Sequence, residues 1–260
     1  MGAKTITKWS VAALLLGGSV GARADLIIND PMPITGLVTV QPIVVSNDDG
    51  SNTANFFGNA SQQMSIEDLI DEVWSQAGID VTFLAPNVWN STDANFGSAG
   101  AAERPIDDLG VIVSNGQTAG VTNLDSLVLN LFMVNVVPGF MPSDLPSNTA
   151  AGVAFVPGNG IAQFVGADLP QSLGGREVVA SVVSHEIAHN LGLEHDNLLL
   201  QNLMFVGSPM DSGERLNAAQ IQTVLNSPFV QPVPLPAAAW MLAGALGLLG
   251  GWRRFIRPRG

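Results

Sequence analysis

The chain alternates between β-type apolar runs and stretches where apolar residues recur every three or four positions, and these rhythms predict its elements. Residues 36–45 are rich in β-branched side chains and predict a strand, with Pro42 suggesting an edge position or a bulge. From 65 to 77 the apolar positions Ile66, Leu69, Ile70, Val73 and Trp74 follow helical spacing, with Glu67 and Asp68 in the first turn and Gly78 as the stop. A short strand is expected over 81–84, a polar loop over 87–105, and either strand or helix over 109–113. Residues 127–137 form a nearly continuous apolar run, which predicts a strand buried on both faces and ended by Pro138-Gly139. Two short strands, 152–156 and 161–165, flank Pro157-Gly158-Asn159-Gly160. Glycines 174 and 175 then precede a helix over 176–190, and 217–226 reads as a final helix with Leu216, Ile221, Val224 and Leu225 as its apolar residues.

The two ends follow other patterns. Residues 1–24 carry Lys4 and Lys8, an apolar run over 11–18 and Ala22-Arg23-Ala24, the parts of a secretory signal, so a mature chain is expected to begin at Asp25. Residues 232–260 contain Val233-Pro234-Leu235-Pro236, an uncharged stretch over 237–252 with Trp240 and Trp252, and an arginine cluster at Arg253, Arg254 and Arg257. That order predicts a short transmembrane helix with its arginines on the cytoplasmic side. What lies between, 25–231, is long enough for one domain with a full core.

Charge narrows the partners. Within 25–231 only Arg104, Arg176 and Arg215 oppose all twenty-two acidic residues, a formal charge of −19. Nucleic acid and anionic membrane surfaces are disfavoured by that field. Calcium binding is a second cofactor reading, centred on Asn47-Asp48-Asp49-Gly50-Ser51-Asn52, although the spacing is not that of an EF-hand loop and a solvated turn explains it more simply. With no cysteine, the domain has no disulfides and no cysteine-based latency.

All three histidines fall in one stretch, His185-Glu186-Ile187-Ala188-His189-Asn190-Leu191-Gly192-Leu193-Glu194-His195. Four residues apart on a helix, His185 and His189 share a face, and Gly192 permits the turn that returns His195 to them. Three imidazoles suit Zn2+ and leave a coordination position open, as catalytic zinc sites do, whereas structural sites complete four protein ligands, often with cysteine. Glu186 travels beside the ligands as a candidate general base.

This stretch resembles the zinc signature of the metzincin metallopeptidases, and Asp196 after the third histidine resembles the reprolysin (adamalysin) branch. The resemblance implies His185, His189 and His195 as metal ligands, Glu186 as the catalytic base, and a structural methionine turn under the metal, with Met204 the candidate ahead of Met210. It also implies an α+β fold: a twisted mixed β-sheet with an active-site helix, a cleft below the antiparallel edge strand, and a small C-terminal subdomain with a final helix. The implied activity is that of a zinc metalloendopeptidase acting on protein or peptide substrate laid along an edge strand near Pro157-Gly158. A non-catalytic surface or biofilm-matrix protein with a structural zinc site is the alternative. The tail resembles a PEP-CTERM sorting signal with Leu235 in place of the usual glutamate, which implies an exosortase-type sorting protease as partner, transient anchoring in the inner membrane, and a final place at the cell surface or outside the cell.

Overall fold

Strand β2 (Gly36–Ser46) organises the sheet. Its even positions, Val38 and Val40, enter one core and its odd positions, Ile43 and Val45, enter another, so the period-two pattern feeds two opposite faces. The computed structural model describes residues 9–13, 27–97, 108–137, 151–164, 173–196, 198–205 and 213–233.

Around β2 stand β1 (Trp9–Ala13), β3 (Ile79–Phe83), β4 (Asn87–Asn90), β5 (Leu129–Met133), β6 (Ala151–Phe155), β7 (Ile161–Phe164) and β8 (Gln231–Pro232). They form one mixed sheet in the order β1-β6-β7-β5-β2-β3, with β4 and β8 also paired to β2. Strands β3, β4 and β5 run parallel to β2, and β7 runs parallel to β5. The reversal comes at β6, antiparallel to β7, and β1 is antiparallel to β6 on its outer side. The expected mixed α+β sheet with an antiparallel strand toward one edge is therefore present.

Pro42 does not mark an edge. It lies in the central strand, paired with Leu131 of β5. On the opposite side β3 ends against Val40 and β4 begins against Ile43, so the ladder is broken where Pro42 would have had to donate. The Gln41 side chain bridges the break, donating to the Ala85 carbonyl at 2.8 Å and to the Pro42 carbonyl at 2.9 Å. A missing N–H costs nothing where no partner is in register.

Helix α1 (Ala60–Ser75) begins five residues earlier than its apolar spacing suggests, because Asn59 and Gln62 form a reciprocal capping box. Glu67 and Asp68 thus fall beyond the first turn. Ile66, Ile70, Val73 and Trp74 are fully buried, each contributing about 1.5–3 kcal/mol of transfer free energy. The region expected to be loop contains β4 and a short helix α2 (Thr92–Phe96), whose cap is the Ser91 hydroxyl accepting from Ala94 N–H. Residues 109–113 belong to helix α3 (Asp108–Thr118), which packs on the β2 face that carries Ile43 and Val45.

The other face holds α1 and helix α4 (Leu173–Asn190), the predicted motif helix extended backward through both glycines. Beyond it, the described residues 193–196, 198–205 and 213–230 make a small lower subdomain packed on the α4-side core, with helix α5 (Ala218–Leu225) capped by Asn217 and Gln220, before β8 returns to β2. Gln76 joins this subdomain to the body. Its side chain donates to the Glu214 carbonyl at 2.6 Å and accepts from Leu216 N–H at 2.8 Å and from Asn29 at 2.9 Å.

Of the residues assigned above to an export signal, 9–13 form β1, and 1–8 and 14–24 lie outside the described residues. The proposed membrane tail from 234 onward also lies outside them. Among the described residues no helix is long and apolar enough to cross a membrane.

Candidate metal centre and active site

Local hydrogen bonding at the end of α4 brings the third histidine to the first two. Gly192, at φ 106°, closes a Schellman turn in which its N–H donates to the His189 carbonyl at 2.9 Å and Leu193 N–H donates to the Ala188 carbonyl at 3.0 Å. The turn sends the Leu193 carbonyl back to His189 Nδ1, 2.7 Å away. From below, the Leu203 carbonyl reaches His185 Nδ1 at 2.6 Å. Each carbonyl accepts the Nδ1 proton, which leaves the Nε2 lone pairs of His185 and His189 free for a metal.

Those nitrogens converge. The donor atoms of His185, His189 and His195 lie within 4.8 Å of one another, and His189 Nε2 and His195 Nε2 are 3.2 Å apart. Zinc–nitrogen bonds of about 2.0–2.1 Å in tetrahedral geometry put ligand atoms about 3.3 Å from each other, so the spacing fits zinc. His185 Nε2 is buried without a hydrogen-bond partner, as expected of an atom whose partner is a metal. Burial holds all three rings in the neutral, ligating form: it lowers His185 to about 4 and, with His185 alongside, His189 to about 2, and it lowers His195 as well.

Glu186 is fully buried, and neither of its carboxylate oxygens has a hydrogen-bond partner. Desolvation pushes its carboxyl well above the usual range. The space it occupies is provided by Gly152 of β6: a Cβ there would lie 2.5 Å from Glu186 Cγ and 2.7 Å from Oε1. The strand passes directly over the carboxylate because it has no side chain at this position.

Met204 is fully buried in the α4-side core, in the turn that presents the Leu203 carbonyl to His185. Asn202 builds that turn. Its side chain accepts from Met204 N–H at 2.9 Å and exchanges two hydrogen bonds with Gln220 of α5, at 2.8 and 3.0 Å. Asp196 closes the loop from the other side, its N–H donating to the Met204 carbonyl at 2.9 Å and its carboxylate accepting from Leu198 N–H. Met210, the other methionine considered, lies outside the described residues. Beside His195 opens a groove of about 550 Å³, bordered by Leu193, Asp196, Leu198, Ala219 and Thr223.

The acidic turn after β2 behaves as a solvated turn. Asp49 accepts from the Ser51 N–H and hydroxyl, which lowers its pKa, Asp48 accepts from Thr92 N–H, and Asn47 accepts from buried Asn95. One side-chain oxygen of each of these residues accepts from a protein donor, and nothing in this arrangement supports the calcium reading. Among the described residues His185, His189 and His195 are the one group of histidines and acids that converges in this way.

The histidines and Glu186 were legible from spacing, but Gly152, Asn202 and the Leu203 carbonyl were not. They act through strand pairing, a side chain that caps a turn and main-chain geometry, and of them Asn202 and Leu203, just before the candidate methionine, lie near a sequence feature that could have drawn attention to them.

No protein-family model matches the chain, and no curated protein matches it. Among solved structures the chain is similar to metalloproteinase-II from Bacteroides fragilis, at 15% identity over 75% of this chain and 56% of that one, with a TM-score of 0.43. It is also similar to archaemetzincin from Methanopyrus kandleri, at 17% identity over 74% of this chain and 87% of that one, with a TM-score of 0.39. The match thus spans little more than half the length of the Bacteroides protein.

Proposed function

We propose that this chain is a zinc-dependent endopeptidase. The observation that carries the reading is the convergence of three neutral imidazoles, two of them with Nδ1 tied to backbone carbonyls and borne by a helix that also carries a buried, unpaired carboxylate. A site that served only to hold the fold would have no use for an unpaired Glu186, which costs stability.

His185, His189 and His195 would hold the ion. When bound, zinc supplies Lewis acidity toward a peptide carbonyl and toward water. Glu186 then takes a proton from the attacking water and delivers it to the leaving amine as the C–N bond breaks. Met204 serves as an apolar floor under the ligands and not as a ligand. Substrate adds in extended form to the antiparallel strand β6, whose main-chain groups supply alignment without sequence preference.

That edge is covered by β1, which pairs Trp9 with Phe155 through Ala13 with Ala151. Because 9–13 fall in the proposed export signal, cleavage before Asp25 removes the covering strand and opens β6 to substrate. The proposal places the mature enzyme at the cell surface or outside the cell, after transient anchoring by the tail and removal of that tail by an exosortase-type protease.

The test is metal content and peptide-library cleavage by purified protein spanning 25–231. One zinc per chain is expected, with cleavage that a chelator abolishes and zinc restores. Stoichiometric zinc without cleavage of any peptide would overturn the reading and favour a non-catalytic surface or matrix protein.

A further inference from the structure

Next to the gap that Glu186 fills lies a second buried side chain without a partner. Gln163 of β7 is fully buried, and neither its carboxamide oxygen nor its nitrogen is hydrogen-bonded, although its backbone carbonyl accepts from Val134 N–H at 2.9 Å. An amide left in that condition costs of order 1–3 kcal/mol, and a native core that retains one calls for an explanation.

Its place in the sheet supplies one. Gln163 pairs with Met133 on one side and with Gly152 on the other. Ile161, two positions earlier, and Met133 both belong to the core on the α4 side, so the Gln163 side chain points to that face. Gly152 faces the same way, and there the Glu186 carboxylate fills the position of the absent side chain, with Oε1 2.7 Å from where Cβ would be. Opposed Cβ positions on paired strands are about 4.5–5.5 Å apart, which an extended glutamine side chain can cover. A carboxamide donor and a carboxylate acceptor, both buried and both unpaired, are thus neighbours across one strand spacing.

We propose that Gln163 is a positioning residue for Glu186: its Nε2–H donates to one carboxylate oxygen, directly or through one buried water, and leaves the other oxygen turned to the cleft. The contact stands on geometry, and its catalytic meaning rests on the peptidase reading above. Fixing one oxygen limits rotation of the carboxylate about its last torsion, so that the oxygen that accepts the proton has one orientation.

Gln163→Leu keeps the volume and removes both polar atoms, and Gln163→Met offers a more adaptable side chain should leucine fail to fold. In the mature protein, from Asp25 onward and loaded with zinc, kcat is expected to fall about tenfold to a hundredfold with KM within twofold and zinc content unchanged. A second readout uses metal-free protein and needs no activity. The urea midpoint should fall on Gln163→Leu when Glu186 is present, because the carboxylate loses its donor, and rise in a Glu186→Leu background, because an orphaned amide is then removed. A midpoint that rises in both backgrounds, or an unchanged kcat, would overturn the proposal. If the wild-type chain cleaves nothing, the peptidase reading fails while the unfolding cycle still decides whether the contact exists.

Discussion

Substitution of Gly152 by alanine should disable the site while leaving the metal in place. The backbone of Gly152 does not have a positive φ, so alanine is conformationally acceptable and the effect is one of space alone. The new methyl would lie 2.5 Å from Glu186 Cγ, 2.8 Å from Cδ and 2.7 Å from Oε1, where ordinary contacts begin near 3.4 Å. About 1 Å must be found. Helix α4 cannot readily supply it, because Asn190 pins its end to the β6–β7 hairpin, donating to the Phe155 and Gly160 carbonyls at 3.0 and 3.2 Å and accepting from Gly160 N–H at 3.2 Å. The carboxylate must therefore swing. A displacement of about 1 Å in a reacting group costs on the order of 100-fold in rate, and overpacking of this kind costs about 1–3 kcal/mol of stability. For a domain of about 150–250 residues that corresponds to a fall in Tm of roughly 2–12 °C. Cleavage of a fluorogenic peptide, zinc content and thermal unfolding on the same preparation read all three effects. Retention of more than half of wild-type kcat/KM would refute the placement of Glu186 beneath β6.

Two further outcomes follow from groups around the site. Burial raises Glu214 to about 7, with Glu177 and Glu72 adding repulsion and Ser181 and Ile27 opposing it through hydrogen bonds. Its folded value exceeds the unfolded one, so its contribution is fully present below about pH 4.5 and is lost as pH rises through about 7. Relative to wild type, Glu214→Gln should gain up to about 3 kcal/mol in urea unfolding between pH 5 and pH 8, and equal slopes would contradict the burial argument. Asn202→Ala strands Gln220 Nε2 and Met204 N–H and loosens the turn that holds His185. A loss of about 2–4 kcal/mol is expected with roughly tenfold weaker zinc binding in chelator competition, and unaltered affinity would separate that turn from the ligand.

What the sequence disclosed depended on the range of the interaction. The three histidines and Gly192 lie within eleven residues, and one helix with one Schellman turn brings them together, so spacing suffices to foresee their convergence. The β6–β7 hairpin and α5 were legible for the same local reason. The start of α1 was encoded locally too, in Asn59 and Gln62, but the apolar period alone points to a later start. Pro42 misleads because an edge and a break between two consecutive neighbours relieve a proline equally well, and only the paired register of β3 and β4 tells them apart. Residues 87–96 are polar because β4 and α2 are short and exposed on one side, which makes them resemble loop. Gly152 and Gln163 acquire their meaning from each other and from Glu186, more than twenty residues away, and no periodicity carries that relation.

The central claim, that Glu186 performs chemistry on a metal held by His185, His189 and His195, is tested most directly in a Glu186→Ala preparation assayed for bound zinc and peptide cleavage together. The account predicts one zinc per chain, as in the wild type, with cleavage reduced to background. Full cleavage by that variant would contradict it.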